Sequence, residues 1–239
     1  ARRAMVPRPL GVVDVHPHHA VGVALQVLLV LPEAAVLQFG AVPGVVHVAY
    51  GDLDAVKKEM GSDVAAIIVE PMQGSAGNII PPKEFLPAVR QLADDLGALL
   101  ICDEMITGFG RTGKMWGAHH SGVKPDIVTL GKQFGGGFPI SAVMSTDEIV
   151  VAKPWSNPSG SSSSYGGNPL AAAAAASAIQ AIEEEGLVEN SRLMGAYFLS
   201  KIKPFEERFP FVGDVRGRGL FMAIEMVRDK KTKEPLTKA

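Results

Sequence analysis

With only one cysteine, Cys102, in 239 residues, the chain can form neither an intrachain disulfide framework nor a zinc site built on several thiolates. A lone, reduced thiol suits the cytoplasm, and that is the expected location. Long apolar runs are also missing. The best candidate, Ala20 to Leu31, falls well short of the roughly 20 residues that a membrane-spanning helix needs. Arg2 and Arg3 upstream give it a faint likeness to a secretory signal, but His16, His18 and His19 intervene and Pro32 and Glu33 interrupt the run. Charge of one sign is scarce too. A net charge of −2 and a pI near 6.3 provide no global field to draw the chain to nucleic acid or an anionic membrane. Small-molecule chemistry on a globular domain is what these absences leave.

Lysine is absent before Lys57, and the first residues are rich in Val, Ala, Leu, Pro and His. Residues 1–35 are therefore expected to be an atypical leader, poorly ordered or non-native. Its His-Pro-His-His cluster at 16–19 has no acidic or cysteine partner at ligand spacing, so a metal site is not expected.

From residue 36 the texture becomes that of an alternating α/β protein. Asp52 suits the N-cap of a short helix through Met60, and Ala65 to Val69 reads as a strand. Pro81 and Pro82 open a helix whose Phe85, Val89, Leu92, Ala93 and Leu96 share one face, with Gly97 as its stop. The apolar run Ala98 to Cys102 follows as a strand, and Ile127 to Leu130 and Ile140 to Met144 are further candidates. A mostly parallel sheet covered by helices is the expected architecture, a large domain over residues 36–185. Beyond a Gly/Ser-rich loop come an alanine-rich helix, Leu170 to Glu185, and a second helix, Leu187 to Phe209, broken at Pro204. The glycine-rich stretch 213–219 and a strand, Leu220 to Val227, read as the start of a small α+β domain over residues 186–239, in a chain expected to be a fragment.

Two residues stand at expected strand ends, where open α/β sheets bind ligands: Asp103 and Lys132. Lys132 lies in Gly-Lys-Gln-Phe-Gly-Gly-Gly, whose glycines and apolar neighbours are expected to desolvate the amine and free it for Schiff-base chemistry with a carbonyl. A carboxylate such as Asp103 can keep a pyridine nitrogen protonated. Gly108 to Gly113 formally matches a dinucleotide fingerprint, but a DEMIT segment separates it from the strand and no helical pattern follows. A P-loop reading fails at Met115, where a hydroxyl must bind Mg²⁺. Tight turns are the stronger reading of these glycines.

Four ordered stretches carry a resemblance to the class III pyridoxal-phosphate aminotransferases of fold type I: Val69-Glu-Pro-Met-Gln-Gly, Asp103-Glu-Met-Ile-Thr-Gly-Phe-Gly-Arg-Thr-Gly, Pro125-Asp-Ile-Val-Thr-Leu-Gly-Lys-Gln-Phe-Gly-Gly-Gly-Phe-Pro, and Tyr165-Gly-Gly-Asn-Pro-Leu. The resemblance implies that Lys132 forms the Schiff base with the cofactor aldehyde and shuttles the proton, that Asp103 pairs with the pyridine nitrogen, and that Ile106 packs near the ring. It also implies that Ser164 reaches the cofactor phosphate across a homodimer interface, that Gln73 lies within reach of the cofactor, that Glu70 braces the sheet edge, and that Arg111 is a structural ion-pair residue. An amine or ω-amino-acid donor and a 2-oxo-acid acceptor are the implied substrates. Relatives acting on ornithine or 4-aminobutyrate often place glutamate after the Gln-Gly pair, where this chain has Ser75. The family's phosphate-cradling loop has no match in residues 1–35. Two alternatives stay open: another pyridoxal-phosphate reaction on the same scaffold (a decarboxylase, lyase or aminomutase), or a catalytically silent fragment.

Overall fold

The computed structural model describes residues 26–31, 44–153, 155–160 and 163–236. Strands β1 (Gln26–Leu31), β2 (Val45–Ala49), β3 (Val64–Val69), β4 (Leu99–Asp103), β5 (Ile127–Leu130) and β6 (Ala142–Ser145) form one sheet in the order β2-β1-β3-β4-β5-β6. All pairings are parallel except β5 with β6. The mostly parallel α/β sheet expected from the sequence is therefore present.

One strand lies where the sequence reading expected none. β1 lies inside the stretch expected to be a leader, yet it pairs with β2 on one side and β3 on the other. Its sequence, QVLLVL, is the continuous apolar pattern of an interior parallel strand, which periodicity alone does not separate from a signal-like run. The boundary at residue 36 thus falls after a strand of the sheet. The histidine cluster at 16–19 lies outside the described residues.

Helix α1 (Leu53–Glu59) is capped as expected, with Asp52 Oδ1 accepting the Ala55 amide at 2.9 Å. Helix α2 (Phe85–Leu96) ends where Gly97 turns left-handed, φ 70°, a conformation glycine adopts without a Cβ penalty. It buries Phe85, Leu86, Val89 and Ala93, which join Val64, Ile67, Val69, Leu100 and Cys102 in the main core; Leu96, at the helix end, stays exposed. Arg90 and Asp126 lock this layer to the sheet: one carboxylate oxygen of Asp126 accepts the Arg90 guanidinium and the Leu100 amide, both at 2.7 Å.

After the short helix α3 (Asp147–Val150), helix α4 (Pro169–Glu184) starts at Asn168, whose side chain accepts from Leu170 and Ala171. It supplies Ile182 to a second core with Phe109, Val128 and Leu130. The expected long helix is two: α5 (Leu187–Ile202) and α6 (Phe205–Arg208), separated at Pro204. They pack on a second sheet of β7 (Val212–Arg218), β8 (Phe221–Asp229) and β9 (Glu234–Pro235). β7 was not expected as a strand, because Gly213 and Gly217 lower its propensity. Those glycines admit close neighbours instead: a Cβ at Gly213 would meet Val227 at 2.7 Å, and one at Gly217 would meet Met222 at 2.5 Å. No helix among the described residues is long and apolar enough to cross a membrane.

Candidate active site

β3, β4 and β5 are neighbours in the sheet, spaced by about 4.8 Å, so the segments that leave their C-terminal ends run side by side. Gln73 follows β3, Asp103 closes β4, and Lys132 lies just past β5. Asp103 is in register with Thr129, and residues so paired point to the same face.

Asp103 is partly buried, and its Oδ1 accepts the Met105 amide at 2.9 Å, which fixes the carboxylate at the strand end. Gln73 is fully buried, and neither its amide nitrogen nor its amide oxygen has a hydrogen-bond partner; the buried Thr129 hydroxyl has none either. An unpaired buried polar group costs about 1–3 kcal/mol, so the two such residues here, Gln73 after β3 and Thr129 in β5, mark a place that favours a polar ligand. Gly74 lies tightly against the Ile106 side chain, where any Cβ would collide, which brings the Gln73 and Asp103 loops together.

Glu70 sits between them. Burial holds its carboxyl above its usual range, helped by the nearby charge of Asp103 and opposed by the Gly74 amide and by Lys132. Its Oε2 accepts that Gly74 amide at 3.0 Å. Glu70 thus ties the end of β3 to the Gly74 turn, and its backbone is held as well: Tyr50 donates to the Glu70 carbonyl at 3.0 Å, while burial and then the Glu70 charge push the phenol well above its ordinary value.

Lys132 opens a 3-10 turn, Lys132–Gly135, with φ 49°, a left-handed conformation that costs a non-glycine residue about 1–2 kcal/mol. Its side chain is exposed. The expected desolvation is not provided by the described residues: Gly136 and Gly137 are themselves exposed, and glycines that remove bulk also remove cover. The backbone of the turn is nevertheless held. Gln133 Nε2 donates to the carbonyls of Ile106 at 2.7 Å and Gly108 at 2.6 Å, and Phe134 stacks on Phe109 with ring centres 5.1 Å apart.

The Asp103-to-Gly113 stretch is organised by Glu104, 1% exposed, which accepts from the Thr107 hydroxyl at 2.5 Å and from the Gly117 and Ala118 amides at 2.8 and 2.9 Å. Gly110 and Gly113 adopt φ 90° and 84° and lie against Val188 and Arg192 of α5, so the glycines make turns for helix contact. Arg111 corrects the sequence reading. It forms no ion pair among the described residues; its exposed guanidinium reaches only Gln133 Oε1 at 3.5 Å, while its carbonyl accepts from the Ser191 hydroxyl at 2.7 Å and the Leu220 amide at 3.0 Å. Ser164 stands apart, exposed in the turn that leads into α4. Ile106 flanks the Gln73 loop as described. Gln133, Glu104 and Thr129 were not singled out from sequence, and a glutamine beside the candidate lysine was the only signal available for any of them.

Comparison with known proteins identifies the family. A family model for aminotransferase class-III matches residues 35–239. A putrescine aminotransferase of Pectobacterium atrosepticum is 44% identical over 196 residues, covering 79% of this chain and 42% of the relative. The solved ornithine delta-aminotransferase of Plasmodium falciparum is 41% identical with a TM-score of 0.76, covering 84% of this chain and 51% of that one. An ornithine aminotransferase of Toxoplasma gondii, whose structure shows partial occupancy of pyridoxal phosphate at its active site, is 33% identical with a TM-score of 0.76 over 84% of this chain and 51% of that chain. The chain spans less than half the length of the curated relatives it matches.

Proposed function

The chain belongs to the class III aminotransferases, and from that premise we propose that it acts in the transfer of an amino group from an amine or ω-amino-acid donor to a 2-oxo acid. The cofactor of this family is pyridoxal phosphate. The observation that supports the reading is the placement of Gln73, Asp103 and Lys132 at the ends of three adjacent strands, with the side-chain amide of Gln73 buried and unpaired.

When bound, pyridoxal phosphate supplies an aldehyde that takes up the amino group and a ring that withdraws electrons from the reacting carbon. The chain's residues fit it. Lys132 would hold the aldehyde carbon and would move the proton off and onto the reacting carbon. Asp103, oriented by the Met105 amide, holds a proton at the ring nitrogen. Ile106 gives an apolar wall and Gln73 offers a donor and an acceptor from a buried position. The exposed hydroxyl of Ser164 suits a phosphate bound by a second copy, in a homodimer with shared sites. The same reading divides the chain into a cofactor-binding unit from β1 to residue 185 and a smaller α+β unit from 186, and it places the protein in the cytoplasm.

The test is direct. Added pyridoxal phosphate is expected to produce an absorbance band in the visible that borohydride fixes onto the Lys132 peptide, and Lys132→Ala is expected to show neither. A wild-type chain that develops no band would overturn the proposal and leave a sheet without cofactor chemistry. Donors such as 4-aminobutyrate, β-alanine and simple amines, paired with pyruvate or 2-oxoglutarate, then identify the substrate class.

A further inference from the structure

We propose that Gln133 is a positioning residue: its side-chain amide, clamped across the Ile106 and Gly108 carbonyls, fixes the left-handed backbone of Lys132 and so aims the amine relative to Asp103. The inference rests on Lys132 being the reactive amine of the site.

Lys132 adopts φ 49°, and a strained residue persists only where its surroundings over-determine it. The neighbouring glycines cannot do so, having no side chains. The next two residues can. Both amide hydrogens of Gln133 are engaged, at 2.7 and 2.6 Å, by carbonyls of the loop that leaves Asp103, and its oxygen faces the Arg111 guanidinium at 3.5 Å. All three contacts require the same amide orientation, since a flip would set oxygen against two carbonyls. Phe134 then stacks on Phe109 at an interplanar angle of 13°, and Phe109 is itself left-handed, φ 54°. Two strained residues, Lys132 and Phe109, are thus braced by one pair of side chains. Gly131, packed against Met105 with no room for a Cβ, brings the two loops together on the other side of Lys132. Without Gln133 the turn keeps its ring stack but loses the hydrogen bonds that set its rotation. The amine, exposed on an unconstrained turn, then samples directions away from Asp103.

The experiment follows modification of individual lysines by pyridoxal phosphate and borohydride, read by peptide mass spectrometry in wild type, Gln133→Ala and Gln133→Met, with Lys57 as an exposed internal reference. The methionine keeps the bulk of the side chain without its donors, so it reports even if the smaller side chain leaves the turn unfolded. Both variants are expected to lower the ratio of the Lys132 rate to the Lys57 rate about tenfold or more at temperatures where circular dichroism shows them folded. A merely structural role would lower the melting temperature and leave that ratio unchanged, and an unchanged ratio in Gln133→Met overturns the inference. If wild-type Lys132 reacts no faster than Lys57 and gives no visible band, it is the reading of Lys132 as the reactive amine that falls.

Discussion

Burial and the neighbouring charge of Asp103 raise the Glu70 carboxyl from its usual 4.5, with the Gly74 amide and Lys132 acting against them. The consequence for stability has a definite sign. Above 4.5 the unfolded chain releases this proton before the native state does, so stability falls as pH rises through the window that starts at 4.5. Glu70→Gln retains an oxygen to accept the Gly74 amide but has no proton to lose. It is expected to melt higher than wild type near neutral pH, with the advantage shrinking as pH falls to 4.5 and below. Thermal melts of both proteins across that range check it; parallel curves would show that Glu70 does not titrate differently in the fold. That the native chain keeps this carboxylate despite its cost fits a group placed for the charge it sets between Asp103 and Lys132.

At the scale of elements, Glu104 does for the loop after β4 what a cap does for a helix. Its carboxylate satisfies the Thr107 hydroxyl and the first two amides of the 3-10 turn Gly117–Ser121, and Thr107, Gly117 and Ala118 are all buried. Glu104→Ala is expected to cost about 3 kcal/mol or more, because three buried donors lose their acceptor at once. Glu104→Gln recovers only part, since its amide nitrogen would face N–H groups. Chemical denaturation measures both, and a loss below about 1 kcal/mol for the alanine variant would refute the capping role. This loop also shows what sequence can and cannot disclose. Asp103 and Lys132 were legible because strand ends in an apolar pattern fix where side chains emerge, and α2 because Phe85, Val89 and Ala93 repeat at helical spacing. Glu104 and Gln133 were not, since each is defined by partners such as Gly117 and Gly108 that periodicity does not bring together. β1 was hidden because the residues around it look nothing like the rest of the chain. Lys132 was expected to be desolvated because glycine was read as making room, when here it leaves the side chain open.

For the molecule as a whole, the second sheet reaches the loops of the first from two sides. Arg216 of β7, paired with Asp214 and Glu225 at 2.6 Å each, donates through Nε and Nη2 to the Gly77 carbonyl at 3.1 and 2.8 Å, and Asn78 donates to the Met222 carbonyl at 2.6 Å. At the other end Gly219 lies against the backbone of Arg111 to Gly113, with Gly195 of α5 behind it. Both contacts therefore land on loops that follow β3 and β4 and carry candidate site residues. Gly195→Ala places a Cβ on the Gly219 backbone and is expected to cost about 1–3 kcal/mol, with faster amide exchange in the β7–β8 hairpin. Arg216→Ala is expected to raise exchange at Gly77 and Asn78 while leaving β4 protected. Equal loss of protection throughout would mean that the two sheets unfold as one unit and that these contacts do not separate them.

The position of β1 has a consequence of a different kind. Among the described residues β2 pairs with β1 alone: the sheet order runs β2, β1, β3, so β1 acts as the splice between β2 and the other described strands. A lesion confined to Gln26–Leu31 would remove two rungs from the ladder at once. During synthesis this earliest described strand must stay available until both flanking strands have emerged, which ties completion of that side of the sheet to its least conspicuous segment.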